Sequence, residues 1–276
     1  MKMEIVTDPE EFETIKFTIK NIIGFNTTQY SDKFLARRID VRLRALGLNS
    51  YLGYIKILYQ NPNERKLMNQ ELTIHVTHFF RDKSMWTSFK NELIPKLIIN
   101  KKNKIINVFS AGCSSGEEAL SIAISFVEAL GENLGGYTIN IIAVEIEENT
   151  LNKAKIGIYD EIQFKEMDDE IKEKYFIKIK AGKYKAKKII TNLVKYEVND
   201  FLSSLNPSKM DIIFCRNTVI YFSLKTKIKL YDDFYNKLVD HGFLILGKTE
   251  ILHGHAKEKF DIFNSYERIY QKAIIR

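Results

Sequence analysis

Apolar and polar positions first separate along 30–46. There Phe34, Leu35, Ile39, Leu43 and Leu46 recur at helical spacing. Ser31 is placed to cap the start and Gly47 to close the end. The opposite face carries Arg37, Arg38, Arg42 and Arg44, which reads either as a solvated basic face or as a docking surface for an acidic partner. A second helix is predicted over 50–60, with Asn61-Pro62 as its stop, and 10–70 as a whole reads as helical.

From residue 104 the rhythm changes. Short apolar runs at 105–109, 138–146, 211–215 and 243–246 alternate with helical patterns at 117–130, 148–156 and 225–239. That alternation predicts a parallel sheet with helices on both faces. Near the end, 260–263 and 266–270 follow each other without a helix between, which predicts an antiparallel hairpin at the sheet edge. Residues 171–200 break the rhythm. There 175–179 and 188–193 look β-like around Gly182, a small β insertion ahead of a strand at 196–198.

The chain has 276 residues, 45% of them hydrophobic and 28% charged, a balance that permits a large core and argues against extended disorder. No apolar run reaches the ~18–20 residues of a membrane helix, and the start has no apolar signal core. Two cysteines, Cys113 and Cys215, cannot make a disulfide framework or an all-cysteine zinc site, and both read as reduced in a cytoplasmic protein. The net charge of +7 suits an acidic partner, nucleic acid or protein, without choosing between them.

Four segments carry candidate chemistry. Ser110-Ala111-Gly112-Cys113-Ser114-Ser115-Gly116-Glu117-Glu118 follows a strand and opens a helix, as a ligand-binding βα turn does. It lacks the third glycine of a dinucleotide fingerprint, and its acidic pair repels phosphate but suits an ammonium group. Glu145, at the end of the next strand, can accept hydrogen bonds from ribose hydroxyls. Together they describe a nucleoside with a cationic tail, which S-adenosylmethionine fits better than NAD or ATP. The third segment, 214–222, places Arg216, Asn217 and Tyr221 beyond another strand end, and the fourth, 73–82, places Arg81 at the junction of the helical and sheet parts. Each also has a plain structural reading, as a polar loop or a salt bridge. His75 with His78, and His253 with His255, lack the i, i+4 spacing and third ligand of a metal site, so no metal is expected. Cys113 has no base near it in sequence and reads as a turn residue.

In this order the segments resemble the CheR family of chemoreceptor glutamate O-methyltransferases, over nearly the whole chain. Leu72 to Asp82 is similar to its T-x-N-x-T-x-F-F-R-D pattern, Phe109 to Glu118 to S-A-G-C-S-x-G-E-E, and Ile213 to Phe222 to F-C-R-N-x-x-I-Y-F. Leu246-Gly247-Lys248-Thr249-Glu250 is similar to its late L-G-x-S-E turn, and the arginine-rich helix with Tyr51, Tyr54 and Leu58 to its helical domain. His75 stands where the family has asparagine, Glu145 where it usually has aspartate, and Thr249 where it has serine.

The resemblance implies an α/β class I methyltransferase with a seven-stranded Rossmann-like sheet, a small helical N-terminal domain over 1–72, a linker over 73–90, and a catalytic domain over 91–276 with a β-subdomain at about 171–195. It implies S-adenosyl-L-methionine as cofactor and S-adenosyl-L-homocysteine as product. Carried over by motif, His75, Thr77, Arg81, Glu117, Glu145, Asn199, Asp200, Arg216 and Asn217 fall at cofactor positions. Arg81 and Tyr221 fall near the transferred methyl group. The implied partner is the cytoplasmic helical domain of methyl-accepting chemotaxis receptors. In some members the β-subdomain also grips a receptor C-terminal peptide. Neither nucleic acid nor membrane insertion is implied. The rival readings are a regulator that binds S-adenosylmethionine without turnover, a nucleic-acid methyltransferase, whose N/D-P-P-Y/F motif is replaced here by Cys215-Arg216-Asn217-Thr218, and an NAD-dependent oxidoreductase, disfavoured by the missing glycine.

Overall fold

The computed structural model describes residues 8–73, 76–99, 101–202, 207 and 209–274. By its internal packing the chain divides into two units, residues through 74 together with Tyr221–Lys229, and the remainder.

The first unit holds α1 (Pro9–Ile23), α2 (Asp32–Leu46), α3 (Tyr51–Gln60) and α4 (Pro62–Leu72). Each start has a side-chain cap: Asp8, Ser31, Ser50 and Asn61 accept from amides in the first turns. Gly47 closes α2 in the left-handed region, at φ 67°. Asn61-Pro62 does stop α3, but by starting α4, where proline loses no hydrogen bond. Ile15, Ile19, Leu35, Ile39, Leu43, Tyr54, Leu58 and Met68 are fully buried together, each worth about 1.5–3 kcal/mol of burial for the aliphatic members.

The arginine face of α2 is more structural than a docking reading supposes. Arg42 makes a two-pronged bond to Glu64, Nε and Nη2 each 2.8 Å from its oxygens, and the buried carboxylate also accepts from Tyr54 Oη at 2.8 Å. Arg38 pairs with Glu71 at 2.9 Å. Only Arg37 and Arg44 of the four are exposed. The helical pattern was visible in sequence, but the carboxylates that claim two arginines lie 22 and 33 positions away.

The second unit opens with a continuous helix, α5 (Lys83–Ser88), one π turn (Phe89–Leu93) and α6 (Ile94–Ile99). The wide turn sits directly before Pro95, which has no amide to donate and crowds the preceding turn. Then come β1 (Ile105–Ala111), α7 (Glu117–Leu130), β2 (Thr138–Glu145), α8 (Glu148–Ile156), β3 (Ile158–Asp160), α9 (Asp169–Tyr175), β4 (Phe176–Lys180), β5 (Lys183–Ala186), α10 (Lys188–Thr191), β6 (Val194–Val198), β7 (Met210–Cys215), α11 (Leu224–Lys237), β8 (Leu238–Leu246), α12 (Ala256–Lys259), β9 (Phe260–Asn264) and β10 (Ile269–Lys272). The main sheet has seven strands in the order β6-β2-β1-β7-β8-β10-β9. The first five run parallel; β10 and β9 are antiparallel, the hairpin expected at the edge. β7 is buried along its whole length, as a central parallel strand should be.

Three details differ from the sequence reading. The run 188–193 is not a strand but the short helix α10, with Ile190 fully buried; a brief apolar run does not distinguish the two. The small sheet is instead β3-β5-β4, and its third strand lies at Ile158–Asp160, ahead of the expected insertion and too short to show a period. In the terminal hairpin the second strand starts at Ile269, while Tyr266 sits exposed in the turn.

Candidate functional site

In an open parallel sheet, ligands bind beyond the carboxyl ends of strands where the strand order reverses. Here that point lies between β1 and β7, with β2 on the other side of β1. The turn after β1 is tied to β2 by two backbone bonds, from Gly112 and Cys113 to the Val144 carbonyl at 3.0 and 2.9 Å. Gly116 starts α7 at φ +94°, where a Cβ would come within 2.8 Å of Ala154 Cβ and Tyr196 Oη. Only glycine fits that position.

Glu145 closes the same turn from the β2 end. Its Oε2 accepts from Ser114 N at 3.1 Å, and its Oε1 from Ile146 N and Glu147 N at 2.9 and 3.1 Å. Its backbone carbonyl receives Asn199 N at 3.1 Å, so the loop after β6 joins the cluster. Asp200, next along, accepts from Leu202 N at 2.9 Å. Glu117 is fully buried at the start of α7, where the helix dipole favours a carboxylate. Ser115 Oγ donates to it at 2.8 Å, and Gln163 donates to it as well. Burial pushes its pKa up, against its own backbone amide, Ser115 and Gln163. Among the described residues no cation forms an ion pair with it.

These features fit S-adenosylmethionine. Glu117 is a buried carboxylate with no cation in direct contact among the described residues, Lys153 acting on it only through space, and it suits an ammonium, with Ser115 and Gln163 as the donors that would yield to it. Glu145 stands one strand over, at the ribose position of such folds.

The loop after β7 carries Arg216 and Asn217. Arg216 is buried, with Nη2 2.8 Å from both the Arg81 carbonyl and Asp82 Oδ2, Nη1 3.7 Å from Glu118, and the guanidinium over the Trp86 ring. Its Nε has no partner among the described residues. Asn217 takes a left-handed φ of 58°, and its amide is held by Glu250. Thr77 is partly buried in the loop before α5. Arg81, partly exposed, donates from Nη1 to the Val76 carbonyl at 2.9 Å. Tyr221 belongs to the helical unit, with its ring 4.9 Å from Phe34 and its carbonyl accepting from Ser31 N at 2.9 Å. His75 lies outside the described residues.

The sheet unit thus gathers Arg81, Glu117, Glu145, Asn199, Arg216 and Asn217 at or beside the ends of β1, β2, β6 and β7. Sequence reasoning missed four residues that hold this ground: Trp86, Gln163, Glu166 and Glu250. Glu250 had a signal, since it closes a quoted motif. Gln163 and Glu166 had none, their partners standing 46 and more than 80 positions away.

Two family models match the chain: the CheR methyltransferase all-alpha domain over residues 10–73 and the CheR methyltransferase SAM binding domain over 75–269. A chemotaxis protein methyltransferase of Borreliella burgdorferi is 28% identical over 270 residues, covering 95% of each chain. A probable chemotaxis protein methyltransferase of Rhizobium etli is 29% identical, covering 81% of this chain and 86% of that one. Chemotaxis protein methyltransferase 2 of Pseudomonas aeruginosa is 28% identical, covering 87% and 86%.

Proposed function

Because the chain belongs to the CheR methyltransferase family, we propose that it esterifies glutamate side chains on the cytoplasmic helical domain of chemotaxis receptors, working in the cytoplasm. The products are glutamyl 5-O-methyl esters and S-adenosylhomocysteine. S-adenosylmethionine is the cofactor, and it supplies the activated methyl group. The observation that carries the reading is the pair of carboxylates in adjoining strand-to-helix turns, Glu117 buried with no ion-pair partner among the described residues and Glu145 pinned by three amides. Such a pair suits a ribose and an ammonium and repels a pyrophosphate.

The residues of this chain have the simpler part of the chemistry. A glutamate has a pKa of about 4.3, so the nucleophile is ionised at neutral pH and needs no general base. What it needs is alignment, which is worth up to roughly 7–11 kcal/mol in ideal cases. Arg81 holds the substrate carboxylate through its fork of donors, a geometry lysine cannot reproduce. Tyr221 shapes the approach, Glu117 holds the ammonium and Glu145 the ribose, with Thr77, Asn199, Asp200, Arg216 and Asn217 supporting the cofactor.

The receptor partner is supported by the exposed Arg37 and Arg44 on α2, which suit an acidic helical surface. The receptor C-terminal peptide is supported by β4, an edge strand of the small sheet with Ile177 and Ile179 about half exposed between lysines. An acidic extended segment could add there as a further strand.

The test has two stages. Calorimetry with S-adenosylmethionine, S-adenosylhomocysteine and NAD is expected to show binding of the first two alone. Labelled methyl transfer to a receptor cytoplasmic fragment is then expected to give alkali-labile label. Binding without label would favour the regulator reading, and label on purified tRNA or DNA would favour the nucleic-acid one.

A further inference from the structure

The peptide group between Arg81 and Asp82 is gripped on both sides. Its carbonyl accepts from Trp86 Nε1 at 2.9 Å and Arg216 Nη2 at 2.8 Å. Its N–H donates to Glu166 Oε2 at 3.0 Å. The other oxygen of Glu166 lies 2.8 Å from His78 Nε2. One carboxylate therefore closes the segment His78-Phe79-Phe80-Arg81-Asp82 at both ends.

The segment needs such closure. Phe80 and Asp82 both take left-handed backbone, at φ 53° and 64°, a conformation that residues with side chains adopt only when their surroundings impose it. Its first half is fixed by packing: Phe79 is fully buried, stacked on Phe164, with its amide on the Gln163 carbonyl at 2.9 Å, and the Phe80 amide donates to Ser121 Oγ at 3.1 Å. The second half is held by polar contacts instead, Trp86 and Arg216 on the Arg81 carbonyl, Arg216 on Asp82 Oδ2 at 2.8 Å and Glu166 on the Asp82 amide, and the Arg81 guanidinium forms no ion pair among the described residues. That guanidinium is held at its tip by the Val76 carbonyl, 2.9 Å from Nη1, and at its root by the 81–82 peptide.

We infer that Glu166, with its carboxylate oriented by His78, is a positioning residue for Arg81. This rests on the reading that Arg81 holds the substrate carboxylate. Glu166 itself is a third exposed, so its loss should disturb the segment more than the fold. A shift of about 1 Å in a substrate-holding group can cost up to roughly a hundredfold in rate.

The experiment is a double-mutant cycle in methyl transfer to a receptor cytoplasmic fragment, with wild type, E166A, R81A and R81A/E166A, alongside E166Q and thermal midpoints for all. E166A is expected to lower kcat about tenfold, a misplacement effect, with the KM for the fragment changing less. E166Q keeps a carbonyl oxygen for the Asp82 amide and should return most of the loss. In the R81A background, E166A should cost less than about twofold, because its effect runs through Arg81. An equal loss in both backgrounds would make Glu166 merely structural. Loss in R81A with none in E166A would remove the clasp alone. Wild-type turnover in R81A would remove the role of Arg81, and the clasp with it.

Discussion

The backbone amide of Asn217 donates to Glu250 Oε2 at 2.9 Å, joining the loop after β7 to the turn after β8. The same buried carboxylate accepts from Gly247 N at 2.6 Å and Ile220 N at 3.1 Å. A Cβ on Gly247 would fall 2.8 Å from both Asn217 N and the Glu250 oxygen, so the two loops touch through backbone. The left-handed Asn217 and its neighbour Arg216 are thereby fixed from the turn after β8.

Removing that acceptor leaves buried amides unpaired, at about 1–3 kcal/mol each. Glu250→Ala is expected to destabilise the protein by about 2 kcal/mol or more, read from the urea midpoint. Glu250→Gln should lose less, since its carbonyl oxygen still accepts. An unchanged midpoint in the alanine variant would mean the amides find other partners.

If Glu117 holds the cofactor's ammonium as proposed, affinity is expected to depend on pH. Burial raises its pKa above the ordinary carboxylate value. An ammonium at this carboxylate favours the ionised form, so binding and proton loss go together. Affinity for S-adenosylhomocysteine should rise with pH through the raised pKa and level off above it. Glu117→Gln should bind about tenfold more weakly at pH 8 and show little dependence across pH 5–8. Calorimetry across that range decides the matter: a pH-independent wild type would exclude contact with Glu117.

The helical unit should be acid-sensitive through Glu64. Burial would raise this carboxyl, but the Arg42 fork and the Tyr54 hydroxyl outweigh it and hold the pKa below its ordinary value. A depressed folded pKa stabilises fully above the unfolded value, near 4.3, and the contribution is lost as pH falls through the folded one. Glu64→Gln should therefore cost about 3 kcal/mol at pH 7 and much less near pH 3. A gap that stays constant between those pH values would assign the effect to packing instead of charge.

Gly116→Ala puts a methyl where 2.8 Å separates the position from Ala154 and Tyr196, on a backbone at φ +94°. About 1–3 kcal/mol of destabilisation is expected, with weaker S-adenosylhomocysteine binding. Wild-type affinity in a folded G116A protein would show that the turn tolerates displacement.

Much of this architecture was legible because its signals are local. Ser31 and Gly47 bound α2, and Glu117 through Leu130 read directly as a helix. The candidate carboxylates were legible for a related reason: each sits in a strand-to-helix turn, Glu145 ending β2 and Glu117 opening α7. What remained hidden depends on distance along the chain. Nothing near Arg42 announces Glu64, and nothing near Arg81 announces Glu166, because ion pairs and clasps across loops leave no period. The short elements were hidden for another cause. β3 spans three residues and α10 four, below the length at which alternation separates strand from helix.

The free edge of β4 carries a consequence for the protein's behaviour in concentrated solution. Among the described residues no strand pairs with the outer edge of β4, and such an edge with half-exposed isoleucines is a template for pairing with another copy. Lys178 and Lys180 on β4 stand beside Lys183 and Lys185 on β5, so two such edges meeting would bring like charges face to face. Lysines so placed would oppose a second copy and favour an acidic strand. Salt weakens that refusal, since the screening length shrinks to about 3 Å at 1 M. Self-association should therefore first appear at high ionic strength, and lysine-to-neutral substitutions on this edge should bring it on at lower salt.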